Sequence, residues 1–255
     1  MILVRFQGTC GNQLWQYAVA RIYAQENGHQ LYKDMSSSIR DDLIHFKNAT
    51  NLSSGHGNNG FIDERTTRYV DGHLHNFTSL LESYDAIFNG YFQRFEYIRD
   101  HKKQIQQWFE VERELPIALN DSDLVLSIRR GWNGYPTDQC PPASFYEKII
   151  EAEDPSRIIL CTDTFSDEYF NFLSKYENVH LADHDMMTQF CLIKSASKVV
   201  LSPSTFCWWA AWLGNAQTIY YPWTNDLIPT STRANWWVDN ESRYIITKEN
   251  LGIQT

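Results

Sequence analysis

From Asp123 onward the chain alternates between two kinds of segment, and that rhythm restricts its fold more than any other feature. Short runs of β-branched and aliphatic residues fall at 124–128, 157–161, 179–181, 199–201 and 218–221, at spacings of roughly twenty to thirty residues. Between most of them lie helix-like stretches at 144–153, 167–176, 186–195 and 206–214. Apolar strands separated by helices pair in parallel through right-handed crossovers, with both sheet faces covered, so this half predicts an α/β layer fold. The first half repeats the theme with more interruptions. Residues 2–6 predict a buried strand, 8–11 a turn, and 12–27 a helix with Leu14, Tyr17, Ala18 and Arg21 on one stripe, stopped by Gly28. Further strands are expected at 31–33 and 87–92 and a helix at 95–109. Residues 36–60, rich in Ser, Asn, Gly and His without periodicity, read as a long surface loop or insertion. A boundary near 116–121 gives two α/β halves, 1–118 and 119–255, facing one central cleft.

Charge narrows the partners. The 255 residues carry 22 Lys and Arg against 31 Asp and Glu, a net charge of −9. That balance argues against a broad nucleic-acid or anionic-membrane surface, yet it admits a small phosphorylated ligand, which needs only a few local cations. The longest apolar run, 207–213, is far shorter than the ~20 residues of a spanning helix, so no membrane segment is expected. The N-terminus lacks the basic start and long apolar core of a signal peptide. Cys10, Cys140, Cys161, Cys191 and Cys207 are odd in number and form no CxxC pair, which suits reduced thiols and a cytoplasmic location. No histidine pair has metal-ligand spacing, and His73 and His75 alternate as on a strand, so no metal site is expected.

Four segments carry polar chemistry where an α/β fold places ligands. Gly8-Thr9-Cys10-Gly11-Asn12-Gln13 joins the first strand to the first helix, and is either a plain turn or a loop that lets backbone approach a ligand. Ser127-Ile128-Arg129-Arg130-Gly131 ends a buried strand. Adjacent guanidiniums there either pair with acidic side chains or clamp a pyrophosphate bidentately. Ser202, Ser204 and Thr205 follow another strand and either cap the next helix or hold a phosphate. In that helix Trp208, Trp209 and Trp212 cannot all face one way, so at least one is expected in the core. Asp163, at a third strand end, either caps a helix near Phe165 or receives donors from a base or ribose.

Taken in order, these segments resemble the α-1,2-fucosyltransferase family and its relatives among inverting glycosyltransferases that use GDP-fucose. That family's G-x-x-G-N-Q-x-F-Q-Y-A start is matched by residues 8–18, its G-Y-x-Q segment by Gly90-Tyr91-Phe92-Gln93, and its S-D strand end by Thr162-Asp163. Its S-x-S-T-F-S-W-W-A-A-W-L element corresponds to residues 202–213, the most specific of the matches, and the resemblance extends to about residue 223. It implies a GT-B-type glycosyltransferase of two Rossmann-like halves, with the nucleotide-sugar bound by 119–255 and the acceptor by 1–118. It also implies no metal and no cofactor beyond a GDP-sugar donor. Arg129 and Arg130 would take the diphosphate charge, Ser202, Ser204 and Thr205 would add hydroxyl and helix N-terminus contacts, and Asp163 would read guanine or ribose. Gly11, Asn12 and Gln13 would approach the diphosphate and reacting sugar.

Two positions depart from the family's H-x-R-R-G-D element: Ser127 stands for its His and Trp132 for its Asp. Asp138 is therefore nominated as a displaced general base, with Asn12 orienting the acceptor hydroxyl. The implied reaction moves fucose or a related hexose from a GDP-sugar to a hydroxyl of a galactoside-like glycan with inversion. The rival expectations are another nucleotide-sugar donor on the same fold, and a non-catalytic nucleotide- or glycan-binding relative. Acceptor specificity is expected in 36–60 and 65–75.

Overall fold

The computed structural model describes residues 1–34, 42–49, 52–55, 61–63, 67–70, 73–76, 86–130, 140–165, 168–222 and 234–247. The chain divides into two compact units, Met1–Val111 with Arg233–Trp237, and Glu112–Thr232 with Val238–Thr255. Each is an α/β unit built on its own parallel sheet.

The first unit contains β1 (Ile2–Val4), α1 (Cys10–Glu26), β2 (Leu31–Asp34), β3 (Ser54–Gly55), β4 (Phe61–Asp63), β5 (Thr67–Val70), β6 (His73–Asn76), β7 (Ala86–Asn89) and α2 (Lys102–Trp108). Its parallel sheet has the order β3-β2-β1-β7-β4, and β5 and β6 form a separate antiparallel hairpin. All three residues of β1 are buried, because paired strands flank it on both sides. Helix α1 buries residues on almost every side, among them Leu14, Trp15, Tyr17, Val19 and Ile22, and Gly28 at φ +67° supplies the left-handed residue just beyond it.

Two expectations are corrected here. The helix foreseen at 95–109 begins as two 3-10 turns, Phe95–Tyr97 and Arg99–His101, before α2. The Phe95 amide donates to the Asn235 carbonyl at 2.7 Å, and Arg94 is extended and bridged to Asn235, so the first turn is tied to a passing segment. The region 36–60 is not all loop among its described residues, since it holds a 3-10 turn at Asp42–His45 and β3. That turn is fixed from a distance, its Asp42 amide donating to Gln13 Oε1 at 2.9 Å.

The second unit contains β8 (Asp123–Ile128), α3 (Ala143–Glu153), β9 (Arg157–Thr162), β10 (Val179–Leu181), α4 (Met186–Ser195), β11 (Lys198–Val200), α5 (Thr205–Leu213), β12 (Thr218–Pro222) and β13 (Tyr244–Thr247). Its six parallel strands lie in the order β10-β9-β8-β11-β12-β13. From β8 the chain winds outward through β9 to β10, returns to the other side of β8 at β11, and winds outward again. This is the doubly wound order of dinucleotide-binding folds, and its reversal between β8 and β11 opens a crevice beyond the strand carboxyl ends.

The helix-like segment expected at 167–176 is a 3-10 helix at Glu168–Lys175. In a 3-10 helix residues three apart eclipse each other. That spacing puts Phe170 with Leu173, and Tyr169 with Phe172, against the core formed by β8, β9 and α3. Helix α5 is buried from Cys207 to Leu213, and all three tryptophans pack inside. Trp208 and Trp212 stack at 5.5 Å, and Trp209 meets them edge-on at 5.3 and 5.4 Å. Each such ring removes on the order of 200 Å² from water, an upper bound of roughly 5 kcal/mol. Gly214 follows because a Cβ there would lie 2.2 Å from the Lys194 carbonyl oxygen of α4.

The amino edge of this sheet is closed by charge. Asp123, only 2% exposed, accepts from Arg157 Nε at 2.9 Å and Nη2 at 2.5 Å, from the Asn120 amide at 2.8 Å and from Ser156 Oγ at 3.3 Å. Burial pushes its carboxyl up, but these donors and the Arg157 charge outweigh burial and hold it below the usual range. A carboxyl lowered in the folded state stabilises above its unfolded pKa of ~3.9, and that contribution is lost as pH falls through the folded value. Asp123→Asn is therefore expected to lower Tm by several degrees at neutral pH, with the gap narrowing below about pH 4. Thermal unfolding across that pH range checks it, and a gap that stays constant would contradict it.

Candidate anion-binding site

At the opposite, carboxyl edge of the second unit, three adjacent strands end in polar residues. Arg129 and Arg130 follow β8, Asp163 follows β9, and Ser202 and Ser204 follow β11 just before α5. Neighbouring strands lie about 4.8 Å apart, so the order β9-β8-β11 gathers side chains that are far apart in sequence. The Arg129 amide donates to Ser202 Oγ at 3.3 Å, across the point where the strand order reverses. The Arg130 amide donates to Asp163 Oδ1 at 2.8 Å, and Asp163 Oδ2 lies 3.5 Å from Arg129 Nε. Asp163 thus braces the paired arginines.

The Arg130 guanidinium is held by an aromatic face. Its Cζ lies 4.2 Å from the Tyr169 ring centroid, and the Tyr169 hydroxyl donates to the Pro141 carbonyl at 2.7 Å, which fixes the ring. The turn at 202–204 is tied from within. Ser204 is the extended residue before α5, but its side chain makes no capping bond, while its carbonyl accepts from the Trp208 amide at 3.0 Å. The Cys207 thiol donates to the Ser202 and Ser204 carbonyls at 3.2 and 3.3 Å. Burial pushes this thiol up, against hydrogen bonds from Ser127 and Ser202 that pull it down, so it serves as a donor and not as a nucleophile. Cys140, also raised by burial, is protonated likewise.

The expected residues therefore have unequal parts. Arg129 and Asp163 have side chains 27% and 28% exposed at the edge. Ser202 is 1% exposed and braces the Arg129 amide, Ser204 is buried, and Thr205 opens α5. Ser127 is also buried, within hydrogen-bonding reach of Cys207. Asp138, Gly131 and Trp132 lie outside the described residues.

In the first unit, the loop after β1 has its own logic. Gly8 has φ +71°, and a Cβ there would stand 2.2 Å from Asn12 Nδ2. Asn12 Oδ1 accepts from Gln93 Nε2 at 2.8 Å, joining the segment after β7 to the start of α1. Gln13 is fully buried with both amide ends used, accepting from the Asp42 amide and donating to the Gly8 carbonyl at 3.2 Å. Gly11 is buried in the same turn, so Asn12 is the partly exposed member of the trio. Gln93 and Tyr169 escaped the sequence reading as site residues. The G-Y-x-Q match contained Gln93, whereas Tyr169 announces itself only through a 3-10 spacing.

Among the described residues, no group of three or more His, Cys, Asp or Glu side chains is arranged to hold a metal ion, and no helix is long and apolar enough to cross a membrane. No protein-family model matches the chain, and no curated protein matches it. The chain is similar to three solved structures, two of them named as transferases and the third bound to GDP-fucose. Fucosyltransferase NodZ from Bradyrhizobium is 12% identical, with 86% of this chain and 94% of that one covered at a TM-score of 0.47. The iron-containing dodecameric glycosyltransferase TibC from enterotoxigenic E. coli is 10% identical, with 87% and 57% covered at 0.47. POFUT1 in complex with GDP-fucose is 10% identical, with 83% and 91% covered at 0.42. With scores this low, a functional reading rests on the chain's own residues.

Two outcomes follow from the geometry. If the arginines hold an anion, Tyr169→Ala is expected to weaken binding of inorganic pyrophosphate by roughly three- to tenfold in calorimetric titration, and Tyr169→Phe, which keeps the ring face but drops the bond to Pro141, to weaken it less. Gly8→Ala, which forces a left-handed residue against Asn12, is expected to lower Tm by a few degrees in thermal unfolding.

Proposed function

We propose that the protein is a GT-B-type glycosyltransferase that moves fucose, or a related hexose, from a GDP-sugar to a hydroxyl of a galactoside-like glycan, with inversion and α-1,2 linkage. One observation carries this reading: adjacent Arg129 and Arg130 stand at the carboxyl end of the central strand β8, beside Asp163 and the Ser202–Thr205 turn, at the reversal of strand order. The motifs that resemble the fucosyltransferase family supply these same residues in the same order. In this proposal residues 119–255 bind the donor, residues 1–118 recognise the acceptor, and the enzyme works in the cytoplasm without a metal and without a nucleic-acid partner.

The chemistry is a single displacement. The acceptor oxygen attacks the anomeric carbon as the bond to the diphosphate oxygen breaks, and the bonding pair leaves with the diphosphate. Arg129 and Arg130 stabilise the charge that grows there, Ser204 and Thr205 add contacts at the start of α5, and the Ser202 brace holds Arg129 in place. The acceptor proton passes to a carboxylate, for which Asp138 is nominated, with Asn12 orienting the hydroxyl.

Arg129→Ala is expected to weaken GDP binding and to lower sugar transfer on the order of a hundredfold or more. Near wild-type values for both would sink the assignment. A non-catalytic relative is the second reading, favoured by Ser127, which replaces the family's His and is buried against Cys207. GDP release from GDP-fucose with a panel of galactoside acceptors separates the two. Thermal shifts with GDP-, UDP- and dTDP-sugars separate the donors, because stabilisation grows with affinity.

A further inference from the structure

The turn after β9 carries an aromatic ring that the fold leaves half uncovered. Phe165 is 49% exposed. The backbone leading to it is held, because Thr162 Oγ1 donates to the Thr164 carbonyl at 2.7 Å and accepts from the Thr164 amide at 3.3 Å. On one side its ring leans on Phe170, with centroids 5.5 Å apart and planes at 37°. Phe170 in turn meets Tyr169 edge-on at 5.5 Å, and Tyr169 carries the Arg130 guanidinium. A line of three rings thus leads from the paired arginines to an exposed face.

A single exposed phenylalanine is ordinary on a protein surface. The position of this one is not. It lies two residues beyond Asp163, whose carboxylate touches the Arg130 amide, and two residues span at most ~7 Å. It stands at the end of β9, the second strand of the doubly wound order, the place where such folds receive the nucleoside when the phosphates sit at the end of the first strand. Asp163 places one oxygen on the Arg130 amide and the other 3.5 Å from Arg129 Nε, so Phe165 follows directly on a carboxylate engaged at the arginines.

We infer that Phe165 is the stacking platform for the base of the nucleoside diphosphate held by Arg129 and Arg130, an inference that rests on the donor-binding reading above. Every base has a π-face, so stacking here sets affinity without choosing the base. Phe165 contributes to the nucleoside and not to the phosphates.

That division gives the test. Calorimetric titrations with inorganic pyrophosphate, GDP and UDP are compared for wild type, Phe165→Ala and Phe165→Trp. The expected result is that Phe165→Ala weakens GDP and UDP by roughly five- to a hundredfold while leaving pyrophosphate unchanged, and that Phe165→Trp restores both nucleotides. The inference is overturned alone if wild type binds both ligand types and Phe165→Ala binds GDP as tightly. It is also overturned if the variant loses pyrophosphate in equal measure, which would mean damage to the arginine site. Wild type that binds neither pyrophosphate nor GDP overturns the donor reading and this inference together.

Discussion

The second unit depends on strand β8 being hydrogen-bonded in parallel on both sides. Its pairing with β9 runs the whole length of the strand, from Asp123 opposite Arg157 to Ile128 opposite Thr162, and β11 takes the other side. Parallel neighbours end at the same edge, so whatever follows each strand is brought together whatever its distance in the chain. Arg129, Asp163 and Ser202 meet for this reason alone. The same pairing separates tasks by edge. The amino ends are closed by Asp123 and Arg157, a saturated ion pair, while at the carboxyl ends one carboxylate, Asp163, meets the Arg130 backbone amide and the Arg129 guanidinium.

Much of this was legible in the residues because burial on both faces leaves a plain signature. The runs at 124–128, 157–161 and 199–201 are nearly unbroken aliphatic stretches, and the helix expected at 186–195 is α4, from Met186 to Ser195. What escaped lies where tertiary contacts overrule local pattern. Strands β3 and β4 have two and three residues, too few to show a period, and β13 follows a region of mixed composition. The start of the helix at 95–109 was lost to the bond between Phe95 and Asn235, a residue that no local window includes.

The site was legible at the level of motifs and less so at the level of roles. Adjacent arginines at a strand end call for negative charge, from acidic side chains or from a ligand, and that much needs no coordinates. Whether a polar residue faces a ligand or a neighbour is a question of burial, which a motif does not encode. Gln13 and Ser202 belong to the most recognisable segments, yet one braces a loop and the other braces an arginine amide. Tyr169 and Phe165 belong to no motif; Tyr169 meets the Arg130 guanidinium through the 3-10 geometry of Glu168–Lys175, and Phe165 leans on Phe170 from the turn after β9.

Neither unit is a continuous stretch of chain. Residues Arg233–Trp237 belong with Met1–Val111, where the Asn235 amide and carbonyl bond Gln93 and Phe95, whereas β13 at Tyr244–Thr247 completes the sheet begun at Asp123. A single cut between Val111 and Glu112 would leave the first unit short of a segment and the second carrying a foreign one. The same interleaving sets an order of events on the ribosome: the first unit stays unfinished until residue 237 has emerged and the second until residue 247, so the chain must be held in check, sheet edge and all, through nearly its whole synthesis.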